Sequence, residues 1–160
     1  MNRKLVILKL IEELQNQRNS TVQSSLDASG NATHEEAKAE SKWDTQALES
    51  SYIAAGHAMR AKDISNDIQS LQAILLDMDV MSSNKIVTGS LLYCIFEKDN
   101  AANYFYLSSH GGGIEFKIEE HSITILNPST PLGRILLDSK VGDTVKLLDG
   151  SSLKIEKLLL

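Results

Sequence analysis

Acidic side chains concentrate between residues 27 and 49, where they outnumber the basic ones. The acids are Asp27, Glu35, Glu36, Glu40, Asp44 and Glu49, set against Lys38 and Lys42. Divalent cations such as Mg²⁺ bind carboxylate oxygens, and carboxylates brought to a metal ion held elsewhere can complete the shell of a second ion. The same spacing suits a solvated helix face whose acids pair with lysines. The residues alone leave both interpretations open.

A long helical segment must position these acids. Both prolines follow residue 127, and the first 80 residues contain only Gly30 and Gly56 as glycines, so little interrupts a helix there. Apolar residues recur at spacings of three and four, which indicates two helices packed antiparallel, and we expect Tyr52 and Trp43 in their seam. The predicted seam stripes are Leu5, Leu8, Ile11 and Leu14 or Gln15; Ala61, Ile64, Ile68, Leu71 and Leu75; and Leu48, Tyr52, Ala55 and Met59.

The position of the turn decides which acids lie at the tip of the helical pair, and two positions are open. A turn at Asp27 to Asn31, the strongest cluster of helix breakers, leaves arms of about 25 and 45 residues, roughly 38 and 68 Å long. A turn near residues 38–45 gives two arms of about 35 residues, each near 50 Å, with Asp44 or Thr45 as a cap. We favour the second position because the arms then match in length. The two turns place different acids at the tip: Glu36, Glu40 and Asp44 for the favoured turn, Asp27 and Glu35 for the alternative.

Helical periodicity ends near residue 79 and strand patterns follow. Residues 79–84 indicate a linker, and strand-like runs lie at 85–97, 103–108, 114–118 and 122–126. The glycines at 111–113 precede a strand rather than a helix, so they are typical of a turn and not of a phosphate-binding loop. The sequence therefore predicts an α+β fold. Residues 1–79 form an antiparallel coiled-coil hairpin, and residues 84–160 form a small, mostly antiparallel β domain with one short helix.

Residues 123–143, ITILNPSTPLGRILLDSKVGD, predict a strand–helix–strand crossover. Asn127 and Pro128 end a strand. Ser129 or Thr130 can cap a short helix that begins at Pro131, where a missing N–H costs nothing. Gly142 supplies the turn geometry before the next strand.

This crossover resembles the C-terminal domain of the bacterial Gre family of transcription elongation factors (GreA/GreB-like), and the strand LKIEKLLL fits that family's closing strand. Asp138 departs from the pattern, which often has glycine there. With the helical pair, the resemblance covers nearly the whole chain and implies an FKBP-like β domain. The matching residues are Pro128, Pro131, Leu132, Gly133, Leu136, Leu137, Val141, Gly142 and Asp143.

The resemblance implies a partner and a mode of action. Gre factors dock their C-terminal domain on RNA polymerase, insert the coiled coil into its secondary channel, and use tip acids to hold a metal ion and water for cleavage of backtracked RNA. It implies that the chain is not itself an enzyme, has no cofactor of its own, shares Mg²⁺ with the polymerase and contacts nascent RNA only indirectly. The implied docking residues are Pro128, Ser129, Pro131, Leu132, Gly133 and Arg134.

The tip of the chain matches the family only in part. Asp27 and Asn31 agree with the family's tip pattern, but Gly30 stands where the family has its key glutamate. In the favoured turn, Glu40 and Asp44 serve instead as the metal-holding acids, within the polymerase complex, with Glu36 beside them. A channel-blocking inhibitor of transcription without cleavage activity is therefore the alternative to a cleavage factor.

Composition argues against several other classes. The net charge of −5 disfavours sequence-specific DNA binding, and the lone Cys94 rules out an intrachain disulfide. Lys9 breaks the apolar N-terminal run, so we expect neither a signal peptide nor a membrane span. The histidines show no metal-ligand spacing. We expect a soluble, cytoplasmic monomer.

Two hypotheses of other classes stay open. The FKBP-like fold is shared with prolyl isomerases, which need an aromatic-lined apolar pocket, although several aromatic residues of the second half must build its core. Alternatively, the helices pair between chains in a coiled-coil scaffold or homodimer, and the acids only solvate them.

Overall fold

The computed structural model of this 160-residue chain describes residues 2–33, 46–76, 85–147 and 149–159. Two helices of 31 residues come first, α1 (Arg3–Thr33) and α2 (Gln46–Leu76). A sheet with one short helix follows, which confirms the predicted α+β class. Its elements are β1 (Leu91–Phe96), β2 (Ala102–Leu107), β3 (Glu115–Ile118), β4 (His121–Leu126), α3 (Pro131–Leu137), β5 (Thr144–Lys146) and β6 (Ser152–Leu159).

The chain divides into two compact units, and each long helix contributes to both. One unit is Ile11–Gln69, and the other combines Met1–Leu10 with Ser70–Leu160. The first turns of α1 and the last turns of α2 therefore belong to the same unit as the sheet. The predicted domain boundary between residues 79 and 84 lies outside the described residues and stays a prediction. Within the described helices, no segment is both long and apolar enough to cross a membrane.

In the unit Ile11–Gln69, α1 and α2 run antiparallel and meet along a seam of small and branched apolar side chains. The Ser25 hydroxyl on α1 donates a hydrogen bond of 2.9 Å to the carbonyl oxygen of Ala54 on α2. A short side chain at this contact lets the two backbones approach closely. The buried apolar residues of this unit are Ile11, Leu14, Ala54, Ala61, Ile64 and Ile68.

The structure confirms one predicted stripe and corrects two. Ala61, Ile64, Ile68 and Leu71 are buried as expected, and Leu75 is half-buried. The stripe of Leu48, Tyr52, Ala55 and Met59 is wrong, since Tyr52 and Met59 are 69% and 70% exposed and Ala54 takes the seam position instead. A one-residue shift turns a helix by about 100°, so Ala54 and Ala55 face different directions.

The first predicted stripe is also partly wrong. Leu5 and Leu8 are largely exposed, whereas Val6, Ile7 and Leu10 are fully buried; Ile11 and Leu14 are buried as expected. The N-terminal turns of α1 belong to the unit with the sheet, so their buried side is set by that packing rather than by a seam between helices. Leu10 packs closely against the turn after β2, since a Cβ added to Gly111 in that turn would lie 2.8 Å from Leu10 Cδ1.

The sheet has six strands in the order β3-β4-β2-β1-β6-β5. Every pairing is antiparallel except that of β2 with β4, which is parallel. The predicted first strand began too early, at residue 85. Gly89 has a φ of 94°, and the Ser90 hydroxyl accepts a hydrogen bond from the Val87 N–H, so a turn occupies this segment and β1 begins at Leu91.

Helix α3 covers one face of the sheet and carries the chain from β4 to the far edge strand, β5. Leu136 of α3 is fully buried in the core on that face, together with Leu92, Phe105 and Ile155. The expected strand–helix–strand crossover is confirmed. The other face carries a second buried set: Leu91, Tyr106, Phe116, Ile123 and Ile125.

Candidate functional site

The crossover begins with a hydrogen-bonded loop after β4. The Asn127 side-chain oxygen accepts hydrogen bonds from the Ser129 N–H (2.9 Å) and hydroxyl (2.6 Å). The Thr130 hydroxyl donates to the Asn127 carbonyl (2.7 Å) and accepts from the Gly133 N–H (3.2 Å). Thr130 is thus the N-cap of α3 and Pro131 its first residue, one of the two capping options predicted.

Gly133 sits at the tightest point of this loop. A Cβ at this position would collide with the carbonyl oxygen of Asn127 and would lie 3.0 Å from the Cα of Pro128. These are backbone atoms, so a side chain cannot be accommodated by a rotamer change. The glycine of the Pro-Leu-Gly step therefore has a packing reason, and we assign Gly133 that role.

The end of the crossover explains the remaining motif residues. Asp138 has φ −84° and ψ −2°, a right-handed conformation open to any residue, so the missing family glycine causes no strain. Gly142 has a φ of 97°, and its N–H donates to the Ile155 carbonyl (2.7 Å). The Asp143 carboxylate accepts from the Lys140 N–H (2.8 Å), which closes the turn before β5.

The predicted docking residues differ in exposure. Ser129, Pro131 and Arg134 are exposed, Pro128 and Leu132 are half-buried, and Gly133 is buried. The exposed three come from the cap loop and the first turn of α3, which are held by the hydrogen bonds that Asn127 accepts and by the cap at Thr130. A partner that bound here would therefore meet an ordered surface with one cation, that of Arg134.

Most of the predicted tip carboxylates lie outside the described residues. These carboxylates are Glu35, Glu36, Glu40 and Asp44, and their roles stay predictions. The predicted seam residue Trp43 also lies outside the described residues. Asp27 is described and exposed on α1, where its carboxylate accepts a hydrogen bond of 2.8 Å from the Gln23 side chain, one helical turn earlier. In the described ranges, no three metal-ligating side chains come together.

The alternative turn at Asp27 to Asn31 is wrong. These residues belong to α1, which continues to Thr33. Ser29 and Gly30 lie within the helix, as the favoured turn requires. The helix tolerates Gly30 because one glycine costs only about 1 kcal/mol of helix stability relative to alanine. The favoured turn at residues 38–45 falls between α1 and α2 but outside the described residues. It stays a prediction, as does a cap at Asp44 or Thr45.

The aromatic side chains of the second half divide between core and surface. Phe105, Tyr106 and Phe116 are buried. A cavity of about 780 Å³ lies beside the end of α3 and β6, and no aromatic side chain of the described chain lines it. The aromatic pocket that a prolyl isomerase needs is therefore not formed by that cavity.

Two buried groups titrate far from neutrality. Burial raises the pKa of the Cys94 thiol from 9.0 to about 12. Burial likewise raises the pKa of Tyr106 to about 12, and the nearby Arg3 guanidinium partly opposes that rise. Cys94 is therefore a neutral core residue at physiological pH, as its apolar strand context predicts.

Sequence reasoning missed an aromatic ladder, formed by Tyr93, Tyr104 and His121 across β1, β2 and β4. The ring centroids of Tyr93 and Tyr104 are 5.0 Å apart, and those of Tyr104 and His121 are also 5.0 Å apart. Lys157 of β6 pairs with Tyr93 on its other side. The strand alternation places both tyrosines on one face, but the order of the strands, which joins them to His121, was not predicted.

Neither a protein-family model nor a curated protein sequence matches this chain. The solved structures that are similar to this chain include three of the factor Gfh1. GreA factor homolog 1 (Gfh1) of Thermus thermophilus is 18% identical over 92% of this chain and 93% of that chain, with a TM-score of 0.39. Thermus aquaticus Gfh1 is 15% identical over 95% and 92%, with a TM-score of 0.37. A further structure of the transcription factor Gfh1 is 18% identical over 92% of each chain, with a TM-score of 0.38.

Proposed function

We propose that this chain is a Gre-like regulator of RNA polymerase. In this proposal the sheet unit docks on the polymerase, and the paired helices enter its secondary channel with the acids of residues 35–44 leading. The carboxylates of Glu40 and Asp44 then help to hold a Mg²⁺ ion at the polymerase active site, where water attacks backtracked RNA. The polymerase is the enzyme, and this chain contributes ligands.

The observation that carries the proposal is the crossover from Asn127 to Asp143. Its residues shared with the Gre pattern have defined local roles: Pro131 begins α3, Gly133 permits the close approach to Asn127, and Gly142 adopts the positive φ of the final turn. The resemblance therefore lies in a folded element and not in scattered identities. Two antiparallel helices of 31 residues each precede it, as that family's architecture requires.

The test uses stalled, backtracked elongation complexes with purified full-length protein, scored for release of short 3′ RNA fragments and for co-elution with core polymerase. We expect both signals from the wild type. The variant Glu40→Ala/Asp44→Ala should still co-elute but lose cleavage by about 100-fold or more, because metal-ion stabilisation of a transition state contributes several kcal/mol.

The matched control is Asp63→Ala/Glu120→Ala, which removes two exposed carboxylates elsewhere and should leave both signals unchanged. Absence of co-elution by the wild type would contradict the proposal. Co-elution with slower nucleotide addition and no RNA release would instead establish the channel-blocking function.

A further inference from the structure

We propose that the aromatic ladder of Tyr93, Tyr104 and His121 is a binding site for single-stranded nucleic acid, in which bases stack on the rings and Lys157 contacts a phosphate. Every residue of this site belongs to the sheet, so the inference does not rest on the proposed function. The tip acids of residues 35–44 take no part in it.

The geometry of the rings suits stacking. Tyr93 and Tyr104 are direct cross-strand partners, and the planes of their rings are inclined by 47°. The ring of His121 is inclined by 58° to that of Tyr104. Both tyrosines are only half-buried and His121 is exposed, so ring surface remains accessible. Aromatic side chains on adjacent strands are a recurrent platform for unpaired bases, because every base has a π face.

A cleft beside the ladder provides room for a nucleotide. A cavity of about 280 Å³ is lined by Tyr93, Tyr104, Lys157 and Leu159. The chemistry of its lining is that of a nucleotide site: two aromatic rings, one aliphatic side chain and one ammonium group. A base can lie against the rings while a phosphate reaches Lys157.

The charges around the ladder favour an anionic ligand at one end. Lys157 is exposed, and the neighbouring carboxylate of Glu156 is 2.7 Å from the ammonium of Lys154, which reduces its repulsion of a phosphate. Glu119 and Glu120 precede His121 at the other end. The strand should therefore lie with a phosphate at Lys157 and a base toward His121.

The ionisation of Tyr104 is compatible with this arrangement. Burial, and then the neighbouring Tyr93, raises the pKa of Tyr104 above 10.0. Its phenol is neutral at physiological pH and does not repel a phosphate.

A proline-rich peptide is the other ligand that uses aromatic grooves. Proline rings carry no charge, so the Lys157 ammonium in the lining gives such a peptide no advantage. The combination of rings with a cation favours a nucleic acid.

The experiment is an NMR titration of the ¹⁵N-labelled full chain with single-stranded oligoadenylate of about six nucleotides. We expect shifts confined to the ladder strands, with a Kd of about 0.1–1 mM. Tyr104→Leu should weaken binding by about 5- to 100-fold through loss of stacking, whereas Tyr104→Phe should bind within about 2-fold of the wild type because it keeps the ring.

Lys157→Glu should weaken binding. It should also lower the slope of log Kd against log salt concentration by about 0.7, which is the contribution of one phosphate contact on a single strand. Lys117→Glu is the matched control. Lys117 is an exposed lysine of the edge strand β3 and lies on the face of the sheet opposite to the ladder. This variant should bind as the wild type does. Equal weakening by the two lysine variants would overturn the site, as would equal affinity for duplex RNA, no shifts, or displacement of the oligomer by a proline-rich peptide.

Discussion

Gly133 and Gly30 show how the same residue type has opposite consequences in two environments. Gly133 faces backbone atoms of Asn127 and Pro128, whereas nothing lies within 4 Å of a Cβ added to Gly30 in α1. At the first position glycine is required by close packing, and at the second it only raises the conformational entropy of the unfolded chain.

We therefore predict that Gly133→Ala lowers the free energy of unfolding by about 1–3 kcal/mol, because the added methyl group forces the cap loop apart. Gly30→Ala should raise it by about 0.5–1 kcal/mol, since alanine is the better helix former. Urea denaturation followed by circular dichroism measures both. Equal effects of the two substitutions would show that Gly133 does not pack as described.

Buried titratable groups make a pH prediction at the same scale. The thiol of Cys94 has its pKa raised from 9.0 to about 12, so the folded state holds its proton more tightly than the unfolded state does. The stabilisation is complete below pH 9 and is lost as the pH rises from about 9 to 12. The free energy of unfolding at pH 10.5 should be lower than at pH 7.5 by roughly 1–2 kcal/mol from this group.

Urea denaturation at the two pH values tests this expectation. Cys94→Ala should reduce the pH-dependent loss by that amount, although the variant itself is less stable at both values. Tyr106, whose pKa burial also raises to about 12, and Tyr104, whose pKa burial raises as well, contribute to the part that remains. An unchanged loss in Cys94→Ala would show that the thiol ionises equally in both states.

Among the secondary-structure elements, the seam between α1 and α2 depends on which alanine faces the partner helix. Ala54 is 7% exposed and its carbonyl accepts the hydrogen bond from Ser25, whereas Ala55 is exposed. Adjacent residues of one helix thus provide a matched pair with the same helix propensity.

We predict that Ala54→Leu lowers the free energy of unfolding by about 1–3 kcal/mol, because the larger side chain separates the helices. Ala55→Leu should change it by less than about 0.5 kcal/mol, as for most exposed positions. Thermal unfolding followed by circular dichroism at 222 nm measures both changes. A greater loss for Ala55→Leu would place the seam in the phase that the sequence first indicated.

At the scale of the whole molecule, a net charge of −5 disfavours general attraction to nucleic acid phosphates. If the proposed function holds, a specific docking surface must direct this chain to a transcribing polymerase, which is a large polyanionic complex. Arg134 is the exposed cation on the first turn of α3, beside the exposed residues Ser129 and Pro131.

We predict that Arg134→Glu weakens co-elution with core RNA polymerase by about 10-fold or more, as reversal of a charge at a docking surface does. Lys117→Glu makes the same change of charge on β3 and should leave co-elution unaffected. Gel filtration of the mixtures, with circular dichroism of each variant alone, separates lost docking from lost folding. Equal behaviour of the two variants would remove Arg134 from the docking surface.

Local chemistry determined much of this protein from sequence alone. The scarcity of proline and glycine in the first 80 residues predicted two long helices, and Ser129 or Thr130 followed by Pro131 predicted the start of α3. Caps, turns and helix breakers act through the few residues around them, so their effects can be read without the rest of the fold. The same holds for the inert Cys94, whose apolar neighbours follow it in sequence.

Tertiary structure alone decided which faces are buried and which strands are neighbours. Ala54 rather than Ala55 meets α1, and Val6 rather than Leu5 is buried, because packing against another element selects among apolar stripes that the sequence offers equally. Tyr93 meets Tyr104 across the antiparallel pair of β1 and β2, and Tyr104 reaches His121 only because β4 pairs in parallel with β2. Such contacts join residues far apart in the chain, and their energy depends on a three-dimensional arrangement that no local pattern encodes.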